Sequence, residues 1–188
     1  MEAILKKEII MNKTWCRVIG VAVFVILTSL GAFVRIPLPF TPVPITLQTF
    51  FVLLSGAFLG GNLGGVSQLC YMLLGISGLP IFTGAGSGLF YPFGPTGGYL
   101  LGFILASFFV GRFIKYGRDN LLSIFGILCL GDFVILCSGI LWLKILIGYN
   151  VTKLLFIGFI PFIPGDLLKA LVASTLYLKL KSRLKEIF

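Results

Sequence analysis

The sequence predicts an all-α integral membrane protein: one domain, a bundle of six transmembrane helices over about residues 16–178, with basic tails at 1–15 and 179–188. Three observations predict it. Of 188 residues, 58% are hydrophobic and 11% charged, where roughly a quarter are charged in a soluble domain. Mean hydropathy is +1.10, and 19 residues are Phe. Apolar runs approaching or reaching the ~20 residues that span a bilayer as helix recur along the whole chain.

The first predicted span, 16–35, follows Lys6, Lys7, Lys13 and Arg17 and so imitates a signal peptide. Its apolar run, Val18 to Val34, is too long for the apolar core of such a peptide and lacks a small-x-small cleavage site, so it reads as a retained helix. Starting the chain at Met11 leaves this unchanged. Spans two and three, 45–60 and 63–77, are short and joined by "GAFLGGNLGG" (Gly56 to Gly65), whose glycines permit a tight turn and close backbone contact between helices. Span four, 97–115, starts at "GPTGGYLLGF", with Pro95 and Thr96 in the first turn and glycines exposing backbone N–H groups that attract an anion such as a carboxylate. Span five, 121–146, carries Asp132 in "LCLGDFVIL", to which the sequence assigns no role. Span six, 154–178, carries "PGDLLKA", with Asp166 and Lys169 three residues apart and therefore on one helix face.

The net charge of +9 suits nucleic acid only if basic residues form a face with interleaved readers. Here they lie between apolar segments, which excludes that reading and makes them topology signals. Lys6, Lys7, Lys13 and Arg17; Arg112, Lys115 and Arg118; and Lys179, Lys181, Arg183 and Lys185 all fall on one side of a six-span chain, eleven of the 15 basic residues. Cytoplasmic loops collect lysine and arginine, so both termini are expected inside the cell. Only Arg35, Lys144 and Lys153 fall near the opposite side.

Two outer loops stand out. "RIPLPFTPVPIT" (Arg35 to Thr46) has four prolines, which predict an extended, stiff segment without internal hydrogen bonds, more lid than linker. "LPIFTGAGSGLFYPFGPTGGYLLGF" (Leu79 to Phe103) opens with about 17 residues lacking regular structure, uncharged and rich in glycine and aromatics. Long loops of that kind are functional or disordered, and apolar content argues against disorder.

An ionisable residue within a membrane helix costs several kcal/mol unless it is paired or faces a polar cavity. Asp166 and Lys169, just after Pro161, Pro164 and Gly165 on the outer half of span six, therefore mark a polar ligand pocket beneath the two loops; a purely structural ion pair is the alternative. Gln48, with Thr46 and Thr49 beside it at the outer end of span two, suits ligand contact and interhelical hydrogen bonding equally. The absence of histidine excludes imidazole metal sites and Ser-His or Cys-His catalysis. Cys16, Cys70, Cys129 and Cys137 form no CxxC and read as small apolar fillers. No GxxxxGK[ST] occurs, so "GAGSG" is not a phosphate loop and the chain has no ATPase motif.

"TPVPITLQTFFVLLSGAFLG", "GLPIF", "GPTGGYLLGF" and "PGDLLKA", in this order, resemble BioY, the biotin-binding S component of energy-coupling-factor (ECF) transporters, over about residues 18–178. The resemblance implies a six-helix subunit that takes biotin from outside, in a bacterial cytoplasmic membrane, working with a membrane T component and two ABC-type ATPases and needing no cofactor. It places the family's acid and lysine on Asp166 and Lys169. The chain has Leu136 in "ILCSGILWL" where the family pattern "IYxxGxxWL" has tyrosine. The small-residue stripe for docking on the T component is degenerate, with Ala22, Ser29 and Ala32 its best candidates.

Biotin offers two ureido N–H donors, one ureido carbonyl, an apolar thiophane and a valerate carboxylate. Asp166 suits the N–H groups, with Lys169 on the ureido oxygen, paired with Asp166, or on the valerate. Phe82, Tyr91 and Tyr99 suit the thiophane, Gln48, Thr46 and Thr83 further polar contacts, and the backbone N–H groups from Thr96 through Gly97 to Gly98 the carboxylate. An S component for another small vitamin and a stand-alone secondary transporter of a small carboxylate are the alternatives, the second disfavoured by the lack of matching interrupted helices or an internal repeat. A membrane enzyme would need a nucleophile with a partnered base or a metal set, and the sequence shows neither.

Overall fold

The computed structural model describes the backbone of residues 2–184 and the side chains of residues 13–182. Lys6, Lys7, Met11, Arg183 and Lys185 therefore lie outside the described side chains. Among the described residues there are six α-helices: α1 (Glu2–Phe33), α2 (Gln48–Ile76), α3 (Gly97–Phe113), α4 (Leu121–Ile147), α5 (Val151–Gly158) and α6 (Ile163–Leu184). Strands β1 (Arg35–Ile36) and β2 (Ile45–Thr46) form a small antiparallel ribbon after α1. Four helices, α1 through α4, are long and apolar enough to cross a membrane, and the bent α5–α6 pair makes a fifth by the same measure.

Helix α2 is not one rod. Gly60 has φ 79° and ψ 171°, far outside the helical region and open to glycine at little cost, so the helical run breaks there. Thirteen residues of straight helix would separate Ser55 from Gln68 by about 20 Å. Instead the Gln68 amide donates to the Ser55 hydroxyl at 3.0 Å, and Gln48 Nε2 donates to the Tyr71 hydroxyl at 2.6 Å. The two arms, 48–59 and 61–76, thus fold back as an antiparallel hairpin, as the glycine-rich joint predicts. Ser55 also shares a 2.7 Å hydrogen bond with Ser107 of α3, and Gln68 donates to Thr28 of α1 at 3.3 Å. These buried bonds pin α1, both arms and α3 together where an unpaired polar group would be costly.

Local chemistry sets the other joints. The Asn120 side chain accepts from Ser123 N–H at the start of α4, and Asn150 accepts from Lys153 N–H at the start of α5. Gly148, at φ 72°, ends α4 in the left-handed conformation. The last span is not the continuous 154–178 helix expected from hydropathy. It breaks at 159–162 and bends by 50°, because Pro161 offers no N–H and its ring clashes with the preceding turn. The carbonyl of Gly158, left without a helical partner, accepts from the Tyr99 hydroxyl at 2.7 Å.

The Pro-rich loop also differs from expectation. It is not free of internal hydrogen bonds: Arg35 pairs with Thr46 and Ile36 with Ile45, and Thr41 N–H donates to the Leu38 carbonyl. The prolines fall between the ribbon strands or at its edge, where no ladder donor is lost. Loop 79–96 is largely irregular as expected, with one 3₁₀ turn at Tyr91–Phe93.

Both loops meet at one end of the bundle. The other end gathers the Gly60 turn, the α3–α4 connection and the end of α6, where Lys181 pairs with Asp119. The small-residue stripe on α1 does not form one outward face: Ala22 is exposed, Ser29 is half-buried with its hydroxyl on the Val25 carbonyl, and Ala32 is 0% exposed. Ala32 lies three residues past Ser29, about 60° further round the helix, and that turn carries it into the bundle interior, where it is unavailable to a partner.

Candidate functional site

Beneath the two loops lies a pocket walled by α2, α3, α4 and α6. Its polar side is built on the first turn of α6, which the break at 159–162 aims inward. Asp166 there is 4% exposed and forms an ion pair of 2.5 Å with Lys169. Asp166 Oδ1 also accepts from Thr49 at 3.2 Å, while Oδ2 has no partner. Lys169 Nζ donates to the Thr46 carbonyl at 2.9 Å and to the Thr49 hydroxyl at 2.6 Å. With Asp166 that makes three acceptors for the three N–H groups of an ammonium.

Gln48 ties the lids to the bundle. Its amide oxygen accepts from Thr83 at 2.9 Å and from Thr46 at 3.3 Å, and its nitrogen donates to Tyr71, which in turn donates to the Ile81 carbonyl at 3.1 Å. Tyr91 donates to the Thr83 carbonyl at 3.1 Å. Gln48 thus makes a hydrogen bond between the two arms of α2 and also stands on the pocket wall.

Eight of the residues assigned to ligand binding from the sequence line this pocket: Thr46, Gln48, Thr83, Tyr91, Thr96, Tyr99, Asp166 and Lys169. Phe82 does not. It is fully buried behind the wall, stacked on Tyr91 at 4.6 Å and edge-on to Tyr71 at 5.5 Å, and it fills the space over Gly75. Gly97 does not either; it packs against the Pro92 carbonyl and Trp142, and its N–H donates to the Gly94 carbonyl at 3.1 Å. The apolar side is made by Val43, Pro44, Leu100, Phe103, Ile135, Leu136 and Phe162, of which sequence reasoning singled out only Leu136. Leu100 and Phe103 share a face by i, i+3 spacing, but so do lipid-facing pairs, and periodicity alone cannot separate them.

The volume of this pocket is about 40 Å³, room for water and well below the roughly 300 Å³ at which pockets for small ligands begin. Above it, sharing Pro44, Thr83, Tyr91 and Thr96 as common wall, is a vestibule of about 310 Å³ that Arg35 also lines. To the side, between α4 and α6, a cavity of about 170 Å³ is lined by both Asp132 and Asp166. Asp132 is 6% exposed and its Oδ1, like Asp166 Oδ2, lacks a hydrogen-bond partner. Two buried acids thus face one cavity, and only Asp166 is paired with a lysine.

The whole suits a small ligand with an apolar body and a compact polar head that donates N–H groups to a carboxylate. Comparison with known proteins points the same way. The model of the BioY family matches residues 6–186. A probable biotin transporter BioY of Pyrococcus horikoshii is 43% identical over 156 residues, covering 81% of this chain and 88% of the relative. The biotin transporter BioY of Thermotoga maritima is 39% identical over 168 residues, 88% of this chain and 95% of that one. The crystal structure of an S-component for biotin from an ECF-type ABC transporter superposes with a TM-score of 0.85 at 28% identity, covering 91% of this chain and 93% of that one.

Proposed function

The chain belongs to the BioY family, and from that premise we propose that it captures biotin in the membrane as the substrate-specificity subunit of an ECF-type uptake transporter. The family is one of transporter S components, not enzymes. The observation that carries the reading is the Asp166–Lys169–Thr49 cluster facing an apolar wall with Tyr91 and Tyr99. Ureido N–H groups reach Asp166, whose Oδ2 is without a partner, and the thiophane lies among Tyr99, Leu100, Phe103 and Leu136. Admission of biotin requires the loops 35–46 and 79–96 to part, since the pocket is too small for it.

Energy comes from elsewhere: the chain has no nucleotide-binding motif, so a membrane T component and two ABC-type ATPases drive transport. On α1, Ala22 and Ser29 remain available as a docking face for the T component. Detergent-purified protein is expected to bind labelled biotin without ATP, with riboflavin and thiamine failing to compete, and to accumulate none when reconstituted alone. Displacement by riboflavin, or concentrative ion-driven uptake by the lone chain, would remove the reading.

Six membrane crossings would put both termini on one side of the bilayer, and we infer that this side is the cytoplasm and that the pocket faces outside. Lys13, Arg17, Arg112, Lys115, Arg118, Lys179 and Lys181 support this, since all belong to the end of the bundle opposite the loops. The lipid bilayer is then the cytoplasmic membrane of the cell. A cysteine introduced at Ser87 in a variant lacking the native thiols is expected to react with impermeant reagent from outside in whole cells; reaction only after the membrane is opened reverses the orientation.

A further inference from the structure

Resting on the biotin reading, we propose that Arg35 holds the ligand's carboxylate in the vestibule, which leaves Lys169 to the polar head of the pocket. Arg35 stands opposite Thr46 in the β1–β2 ribbon, so their side chains share a face, and Thr46 lines the pocket while its carbonyl holds Lys169. The guanidinium lies over Gly84, at φ +75°, where a methyl group would come within 2.6 Å of it. Arg35 of one outer loop thus packs on Gly84 of the other. The vestibule wall is otherwise proline, aromatic, glycine and threonine, and no acid lines it.

Of two competing anion sites, one is filled and the other is filled in part. Lys169 has three N–H groups and three protein acceptors, so to take a carboxylate it must give one up. At the start of α3, the Gly97 N–H is spent on the Gly94 carbonyl. Arg35, by contrast, makes no ion pair or side-chain hydrogen bond among the described residues, and its planar fork matches a carboxylate in two-point geometry. Because vestibule and pocket share a wall, a ligand whose ring sits on Asp166 extends its tail toward Arg35.

The test compares biotin with biotin methyl ester by equilibrium binding to the parent, Arg35→Gln and Lys169→Met in detergent. The parent is expected to prefer the free acid. Arg35→Gln is expected to lose about tenfold in affinity for biotin while holding the ester within about twofold, the loss of one charge-assisted contact at a partly exposed site. Lys169→Met is expected to weaken both ligands alike. If Arg35→Gln keeps the parent's preference, or if Lys169→Met abolishes it, the carboxylate is not on Arg35. A parent that binds acid and ester equally sinks the Arg35 assignment alone; a folded parent that binds neither sinks the biotin reading with it.

Discussion

Lys169→Met will bind biotin far more weakly than the parent and will also melt earlier than Asp166→Asn. The asymmetry follows from the partners that each buried group in the site would lose. Asp166 and Asp132 are both buried, both line the cavity between α4 and α6, and each has a carboxylate oxygen without a partner. Lys169 is bonded to one of this pair, Asp166. Its removal leaves Asp166 with only the Thr49 hydroxyl, and removing one partner of a buried ion pair costs about 3–5 kcal/mol. Asp166→Asn keeps the shape and leaves one oxygen for Lys169 and Thr49, so its stability cost is smaller. Its binding cost is direct: one acceptor becomes a donor that faces ureido N–H, a loss of about 1.5–3 kcal/mol or roughly ten- to a hundredfold in affinity. Thermal unfolding in detergent and equilibrium biotin binding on the same preparations read both effects. Adding Asp132→Asn to Lys169→Met is expected to recover part of the lost stability and none of the binding. If both single variants bind as the parent does, the pair is structural and the pocket is not the ligand site.

The sequence made the polar side of this pocket legible and the apolar side nearly invisible, for one physical reason. In a membrane helix a charge is expensive, so Asp166 and Lys169 announce a cavity or a partner wherever they stand. An apolar residue costs nothing against lipid, core or ligand, so Phe103, Ile135 and Phe162 carry no mark of which they face. Phe82 shows the same blindness from the other side: its aromatic ring in a Gly-rich loop suggested ligand, and it became the buried post on which Tyr91 stacks. Arg35 read as one more topology charge because a single arginine at a helix end usually is one. Its place over Gly84 depends on a ribbon register that two-residue strands do not betray. The break at 159–162 was written in Pro161 and Pro164, but hydropathy runs smoothly across it and conceals the bend.

Gly111→Ala will destabilise the protein by about 1–3 kcal/mol or more, whereas Gly126→Ala will stabilise it slightly. Both glycines lie inside helices, Gly111 in α3 and Gly126 in α4, so the gain in helix propensity is the same, roughly 0.5–1 kcal/mol. What differs is the space. A Cβ at Gly126 meets nothing within 4 Å. At Gly111 it would run into the backbone of Gly60 and Gly61 at the hairpin turn and the carbonyl of Gly56, and backbone cannot rotate aside as a side chain does. Gly56 is held in the same way against the backbone of Ser107, so α3 and the hairpin touch at contact distance on both sides of the turn. This contact is at the opposite end of the bundle from the pocket, yet it fixes how the hairpin stands, and the hairpin's first residues are Gln48 and Thr49. Melting temperatures in detergent decide the stability claim. Saturation binding decides whether the effect reaches the site: loss of folded protein lowers the number of biotin sites at unchanged affinity, while a tilted hairpin moves Thr49 off Asp166 and weakens the affinity of every site that remains. The hairpin's first arm is anchored at its far end by the Gln48–Tyr71 and Gln48–Thr83 hydrogen bonds. The first outcome is therefore expected, and a weakened affinity at full site number would show that the turn, not those bonds, positions Thr49.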